Sequence, residues 1–201
     1  MESGPVFYKW QKRRKSFIFR GVGRNRLRGH NEAEGRKGSF QGEGFTVREM
    51  RRKDKEITDR GEIEAILERN NICRLALFDE EYPYVVPLCY GYQDGCLYFH
   101  GFAGGTKLDL IRKNPRVCFE VEEDVQVVTD PDPCEWSVKY RSVIGRGVAE
   151  ILEDPAEKKA GLDVVVKAFA GRSLEFPEGA MRAVSVVRIQ VTELSGRRSG
   201  Y

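Results

Sequence analysis

Six runs of β-forming residues follow one another through the chain, at 72–78, 84–92, 96–100, 116–122, 137–151 and 181–194, most of them set apart by turn residues. Segments rich in Val, Ile, Tyr and Phe suit a pleated, half-buried surface. Gln93-Asp94-Gly95 carries the Asp-Gly signal of a tight hairpin. The other links have hairpin or Greek-key length, which points to a closed or partly closed barrel rather than a doubly wound sheet. Three helices fit between the runs. Asp59 with Glu62 three residues later reads as a capping box, and Ile63, Ile66 and Leu67 follow at helical spacing, predicting a helix over 59–69. A second is predicted over 104–113, stopped by Asn114-Pro115. A third starts at Asp154-Pro155 with Glu157, has an apolar face of Leu162, Val165, Val166 and Phe169, and stops at Gly171. The expected class is mainly β (α+β), with about six strands and flanking helices.

Charge divides the chain. Of its 201 residues, 1–49 carry twelve Lys/Arg against five Glu, a net of +7, while 50–201 have a net of −4. The first 49 residues hold eight Gly and basic clusters such as Lys12-Arg13-Arg14-Lys15, with no apolar periodicity. Such a composition buries too little apolar area to offset the entropy of ordering. Residues 1–49 are therefore expected to be a disordered basic arm or a non-native N-terminal extension, and 50–201 a single domain. An extension accounts for the basicity without a nucleic-acid partner. No run of eighteen apolar residues exists, and the N-terminal part has no apolar stretch of signal-peptide length. The five cysteines, with no C-x-x-C pair, read as buried thiols in a reducing cytoplasm rather than as disulfides or a zinc site.

The chemistry concentrates in 84–113. Strand alternation puts Cys96, Tyr98 and His100 on one face and Leu97 and Phe99 on the other. His100 ends its strand before Gly101, Gly104 and Gly105, and the helix that follows offers unsatisfied N–H groups beside the Lys107 ammonium. This combination suits an anion such as a phosphate group. The spacing is neither a Walker loop nor a dinucleotide fingerprint, since Thr106 and Leu108 stand where the former needs Gly and Ser/Thr. Pro87, inside an apolar run, removes a ladder donor and marks an edge or ligand-facing strand.

The segments P-Y-V-V-P-L-C-Y-G-Y from Pro83, L-Y-F-H at 97–100, G-G-T-K at 104–107, N-P-R-V-C-F at 114–119 and Y-R-S-V-I-G-R-G at 140–147 stand in one register. Together they resemble the pyridoxamine 5′-phosphate oxidase-related flavoproteins, closest to the branch that includes nitroimidazole-resistance proteins. The resemblance spans 50–201 and none of 1–49. It implies a split β-barrel that forms a homodimer with one FMN in each of two interfacial clefts. It further implies that Val86, Pro87, Leu88 and Cys89 run along the flavin and that Phe99 and His100 lie beside the ribityl-phosphate and ring. Thr106 and Lys107 would hold the phosphate, and Ser142 would come from the second subunit. True pyridoxamine phosphate oxidases have an Arg and a Lys in the strand matching 84–89, where Tyr84 and Cys89 stand here, and a C-terminal Trp- and Arg-rich segment that this chain lacks after Val191. The implied activity is thus an FMN-dependent oxidoreductase acting on another small organic molecule, nitroaromatic or quinone-like, with His100 as catalytic residue. A non-catalytic flavin, deazaflavin or haem binder is the alternative.

Other residues carry structural expectations. Trp136, Tyr140 and Arg141 wall the cleft, by stacking on a flat ring or pairing with an anionic substrate, or Trp136 is only a core or dimer contact. Glu120, Glu122, Glu123 and Asp124 form a solvated loop. Tyr82, Tyr84, Tyr90 and Tyr92 share one face of a strand. Cys96 and His100 lie about 13 Å apart along an extended strand, too far to pair.

Overall fold

The structure is a computed structural model that describes residues 50–176, 179, 181 and 183–201, so the reading of 1–49 lies outside the described residues. Its elements in chain order are β1 (Glu56–Ile57), α1 (Arg60–Arg69), β2 (Ile72–Leu77), β3 (Tyr84–Cys89), β4 (Gly91–Gln93), β5 (Cys96–Phe102), α2 (Thr106–Lys113), β6 (Arg116–Val128), β7 (Ser137–Leu152), α3 (Pro155–Ala170) and β8 (Val184–Ser199). All eight strands belong to one antiparallel sheet ordered β3-β2-β6-β7-β8-β5-β4, with β1 also paired to β8. Its two end strands, β3 and β4, are consecutive in the chain with only Tyr90 between them. Neighbours in sequence cannot sit at opposite ends of a flat sheet, so the sheet curls until its ends meet without a ladder joining them. That is a split barrel.

Eight strands stand where about six were expected, because 84–92 breaks at Tyr90 and a two-residue β1 joins the sheet. Tyr90 is fully buried, its N–H bonds Asn71 O (2.9 Å) and its hydroxyl donates to Leu67 O (2.8 Å). This anchor to the end of α1 turns the chain from one edge to the other. The tyrosines therefore do not share a face: Tyr90 is core, Tyr84 and Tyr92 are half-buried, and Tyr82 is 76% exposed. The β4–β5 hairpin is a two-residue turn with Asp94 and Gly95 both at positive φ (51° and 73°), as the Asp-Gly signal predicts.

Alternation along the strands separates a core side from an outer side. Val117, Phe119 and Val121 of β6, Cys73, Leu75 and Leu77 of β2, and Leu97 and Phe99 of β5 fill the core. Gly145 lies over the Phe119 ring so closely that a Cβ there would stand 2.1 Å from it. The acidic run is strand, not loop. Glu120 and Glu122 lie on β6 beside Arg74 of β2 (3.7 and 2.7 Å), and Glu123 bonds Arg69 of α1 at 2.8 Å.

All three predicted helices are present, with shifts at their ends. Asp59 caps α1 through Gly61 N, but Glu62 pairs with Arg198 instead of closing the box. Asp154 caps α3 through Ala156 N and Glu157 N, and Gly171 ends it at φ 66°. Of the expected α3 face, Leu162 and Val165 are buried, while Phe169 is 43% exposed. Gly161 takes the packing position, because Tyr98 and Val186 leave no room for a side chain there.

Candidate functional site

The β5–α2 corner gathers the sequence-predicted anion-binding residues. β5 delivers Phe99 into the core and His100 to the opposite face, as the alternation requires. The turn that follows is made by Gly105 at φ 114°, a conformation costly for any residue with a Cβ. Gly105 is the N-cap of α2, and no side chain caps the helix; Leu108 N–H bonds Gly105 O (3.0 Å), which leaves the N–H groups of the exposed Thr106 and of Lys107 without an intrahelical partner. Gly101 does not make the turn: it is a strand residue whose missing side chain lets Lys107 approach, a Cβ there lying 3.4 Å from Lys107 Nζ.

Lys107 folds back over the strand. Its ammonium sits 5.0 Å from the centroid of the buried Phe99 ring and has no carboxylate partner among the described residues. Burial lowers its pKa, the nearby Cys73 thiol acting in the opposite sense. His100 is half-buried. Burial first, and the charge of Lys107 second, lower its pKa from the ordinary imidazole value, so its neutral form is favoured at neutral pH. Its Nδ1 is shut away from solvent with no hydrogen-bond partner. A buried ring nitrogen and a half-buried ammonium, both unpaired, are costly unless a ligand completes them.

β3 forms the other wall of the split. It is the terminal strand of the sheet, paired only to β2, as the missing donor of Pro87 predicts. Val86 and Leu88 point to the core, whereas Pro87 and Cys89 are exposed on the outer side. Cys73 of β2 stands opposite Leu88, and β3 itself packs against β5, which sets it beside the β5–α2 corner. Burial pushes the Cys73 thiol up to about 12, so it is a core residue and not a nucleophile.

Ser142 does not join this group. His100 pairs with Val186 on β8 and Ser142 with Arg197, eleven residues further along the same strand, or about 35 Å of extended backbone. Tyr140 and Ser142 sit on the outer side of β7, and Arg141 lies opposite them, bound to Asp124. Trp136 is 56% exposed in the turn before β7, its indole N–H donating to Asp130 O, so it is not core. Sequence reading missed Arg197, half-buried beside Ser142 with Nε unpartnered. No local signal exposes it, because its strand partner lies 55 residues earlier in the chain.

No helix among the described residues is long and apolar enough to cross a membrane. In structure, the chain is similar to a candidate 5-nitroimidazole antibiotic resistance protein from Bacteroides thetaiotaomicron, at 29% identity, covering 71% of this chain and 86% of that one, with a TM-score of 0.64. A FAD-binding protein from Mesorhizobium loti is 27% identical over 71% of this chain and 96% of its own, with a TM-score of 0.53. A flavocytochrome from Azotobacter vinelandii, 20% identical over 76% and 72% with a TM-score of 0.66, shares the fold. An uncharacterized protein of Rhizobium meliloti (strain 1021) is 30% identical over 67 residues, 33% of this chain, and the match spans less than half (44%) of that relative's length. Residues 59–198 match the pyridoxamine 5′-phosphate oxidase family, and the chain belongs to that family.

Proposed function

We propose that this protein binds FMN in a cleft between the β5–α2 corner and β3, and that it is an FMN-dependent oxidoreductase acting on a small nitroaromatic or quinone-like molecule. The observation that carries the reading is the pair of unmet groups on adjacent elements: the Lys107 ammonium without a carboxylate and the buried His100 Nδ1 without a partner. A phosphate-bearing ring compound answers both. The flavin-binding relatives support the cofactor class, and the 29% identical resistance protein supports the substrate class.

When bound, a flavin supplies hydride transfer. The protein's part is binding, orientation and proton placement. Lys107 and the α2 N–H groups neutralise the phosphate, with the Thr106 hydroxyl beside them. The backbone of Val86, Pro87, Leu88 and Cys89 lines the ring along the free edge of β3, and Phe99 supports Lys107 from the core. His100, kept in its neutral form by burial and by Lys107, orients the substrate through a hydrogen bond at Nδ1 and can accept a proton there.

The protein works as a homodimer in this reading, because Ser142 lies too far from its own cleft to serve it. The outer face of the sheet supports a second copy: Ile72, Val85, Ile144 and Val148 are 45–57% exposed on it, together with Pro87 and Cys89. A cytoplasmic setting belongs to the same reading; of the five free thiols only Cys73 and Cys96 are buried, whereas Cys89 and Cys134 are exposed, so the expectation of five buried thiols holds only in part.

The visible spectrum of the purified protein and a titration with FMN test the cofactor, with two flavin absorption bands or saturable FMN binding expected. Colourless protein that takes up no added FMN would overturn the reading. Reduction of a nitroaromatic or quinone at the expense of NAD(P)H is the expected activity. Tight binding without turnover of either class would leave a flavin carrier in its place.

A further inference from the structure

The outer face of the sheet lies open over β2, β6 and β7, and its charges are arranged so that the face complements a copy of itself turned end for end. Alternation along β6 puts Val117, Phe119 and Val121 in the core and Arg116, Cys118 and Glu120 outside. Their direct partners on β7 are Val148, Arg146 and Ile144. Each unlike charge therefore stands beside an exposed apolar residue, Arg116 next to Val148 (45% exposed) and Glu120 next to Ile144 (49%). The Arg116 side chain is exposed and has no carboxylate partner among the described residues. Glu120 is half-buried and shares a single guanidinium with Glu122, Arg74 lying nearer to Glu122 (2.7 Å) than to Glu120 (3.7 Å). Burial first, and Glu122 second, raise the pKa of Glu120 against the opposing pull of Arg74. A cation without an anion and a carboxylate with a shared cation thus stand on one strand face, with Cys118 midway between them.

In a twofold interface a contact from one copy to the other is made twice. An axis that passes Cys118 across the strands, in the plane between two such faces, sets Arg116 of one copy over Glu120 of the other and Val148 over Ile144, because each pair flanks Cys118 or Arg146 symmetrically. Charge then meets opposite charge, and apolar side chain meets apolar side chain. Arg146, at the axis, keeps its own partner Glu193 of β8 at 3.1 Å. A polyanion would require one sign of charge on this face, which carries both. An axis along the strands would set Ser142 beside its own copy. Only the end-for-end packing brings the Ser142 end of one β7 toward the end of the other copy at which β5 holds His100. We propose that Arg116 of one copy pairs with Glu120 of the other, twice about an axis at Cys118, and that these two pairs fix which way round the two sheets stack. The inference rests on the dimeric reading given above and adds the residues that set its register.

The test uses the full chain, charge reversal and sedimentation. In Arg116→Glu both members of each pair are negative, and in Glu120→Arg both are positive. Each variant alone is expected to raise the dimer dissociation constant at least about 100-fold, since two like-charge contacts replace two unlike ones. Mixed in equal amounts, the two variants form heterodimers, because every contact is again between opposite charges. The double variant Arg116→Glu/Glu120→Arg forms homodimers within about threefold of the wild-type constant, which shows that neither substitution acts through misfolding. Single variants that dimerise as tightly as wild type overturn the proposal. A mixture of the two that stays monomeric overturns it as well, as does a monomeric double variant. Wild-type protein that is monomeric at every concentration defeats the dimeric reading and this inference together, whereas a wild-type dimer indifferent to both reversals defeats only the pairing.

Discussion

Two corners of the same sheet treat charge in opposite ways. Where α1 meets β6, every cation named has an anion: Arg69 bonds Glu123 at 2.8 Å, Asn70 shares the same carboxylate, and Arg74 on β2 reaches both Glu120 and Glu122. Where β5 meets α2, Lys107 lies over Phe99 and His100 Nδ1 is buried with nothing bonded to it. The first corner is complete within one chain, and its ion pairs brace the helix against the strand. At the second, groups that cost free energy to bury are held in place without the partner that would offset the cost. The proposed ligand site rests on these unmatched groups, since buried polar groups are as a rule hydrogen-bonded.

The comparison can be broken at its strongest point with Lys107→Glu. Reversing the charge of the cation over Phe99 is expected to weaken FMN binding more than about 100-fold, from the lost attraction and the added repulsion of a phosphate. Unchanged flavin affinity removes the phosphate role of this residue. The companion Lys107→Met separates function from stability: flavin affinity falls, while the thermal midpoint of the cofactor-free protein stays level or rises by a few degrees, since a desolvated ammonium is gone. A lower midpoint would mean that Lys107 is a structural residue after all.

Gly101→Val comes next. The new side chain would occupy the space 3.4 Å from Lys107 Nζ and displace the ammonium, so FMN affinity should drop about tenfold with little change in the unfolding midpoint. Equal affinity would show that the ammonium does not need that path.

A smaller effect concerns pH. Burial and Lys107 depress the pKa of His100 below the ordinary value of 6.5, so the unfolded chain binds a proton before the folded one does. The contribution of the neutral imidazole to stability is complete above the unfolded value and is lost as pH falls through the depressed folded value. Urea midpoints of the cofactor-free protein should therefore decline as pH drops below about 6.5, and His100→Gln should flatten that part of the curve. The same slope in both proteins would refute the depression. The smallest effect is predicted at the satisfied corner. Arg69→Ala removes an ion pair whose arginine is largely exposed, and it should cost no more than about 1 kcal/mol and leave FMN affinity unaltered.

Much of the fold was legible in the residues because its signals are local. Asp94-Gly95 fixes a hairpin through two left-handed positions, Asp154-Pro155 starts a helix, and Asn114-Pro115 stops one. The Gly105–Lys107 corner was legible for the same reason: strand end, glycine, helix start and lysine are consecutive. What could not be read is non-local. The break at Tyr90 depends on an anchor to Leu67 and Asn71, and the extension of β6 to Val128 follows from pairing with β7 across a bulge. Gly161 displaced Phe169 from the buried face of α3 because Tyr98 and Val186 approach there, which no helical periodicity encodes.

By itself, the sequence determined the succession of strands and helices, the split in charge between 1–49 and the rest, and a glycine turn that opens a helix at Thr106-Lys107. Those follow from φ/ψ preferences, capping chemistry and composition, which act over a few residues. Only the tertiary structure decided that β3 and β4 lie at the ends of one curled sheet, that His100 Nδ1 and Arg197 Nε are buried without partners, and that Ser142 and Arg197 pair eleven residues along β8 from the partner of His100. Burial and strand register arise from which distant segments pack together, and that packing buries the His100 ring nitrogen beside the lysine turn, which no local signal encodes.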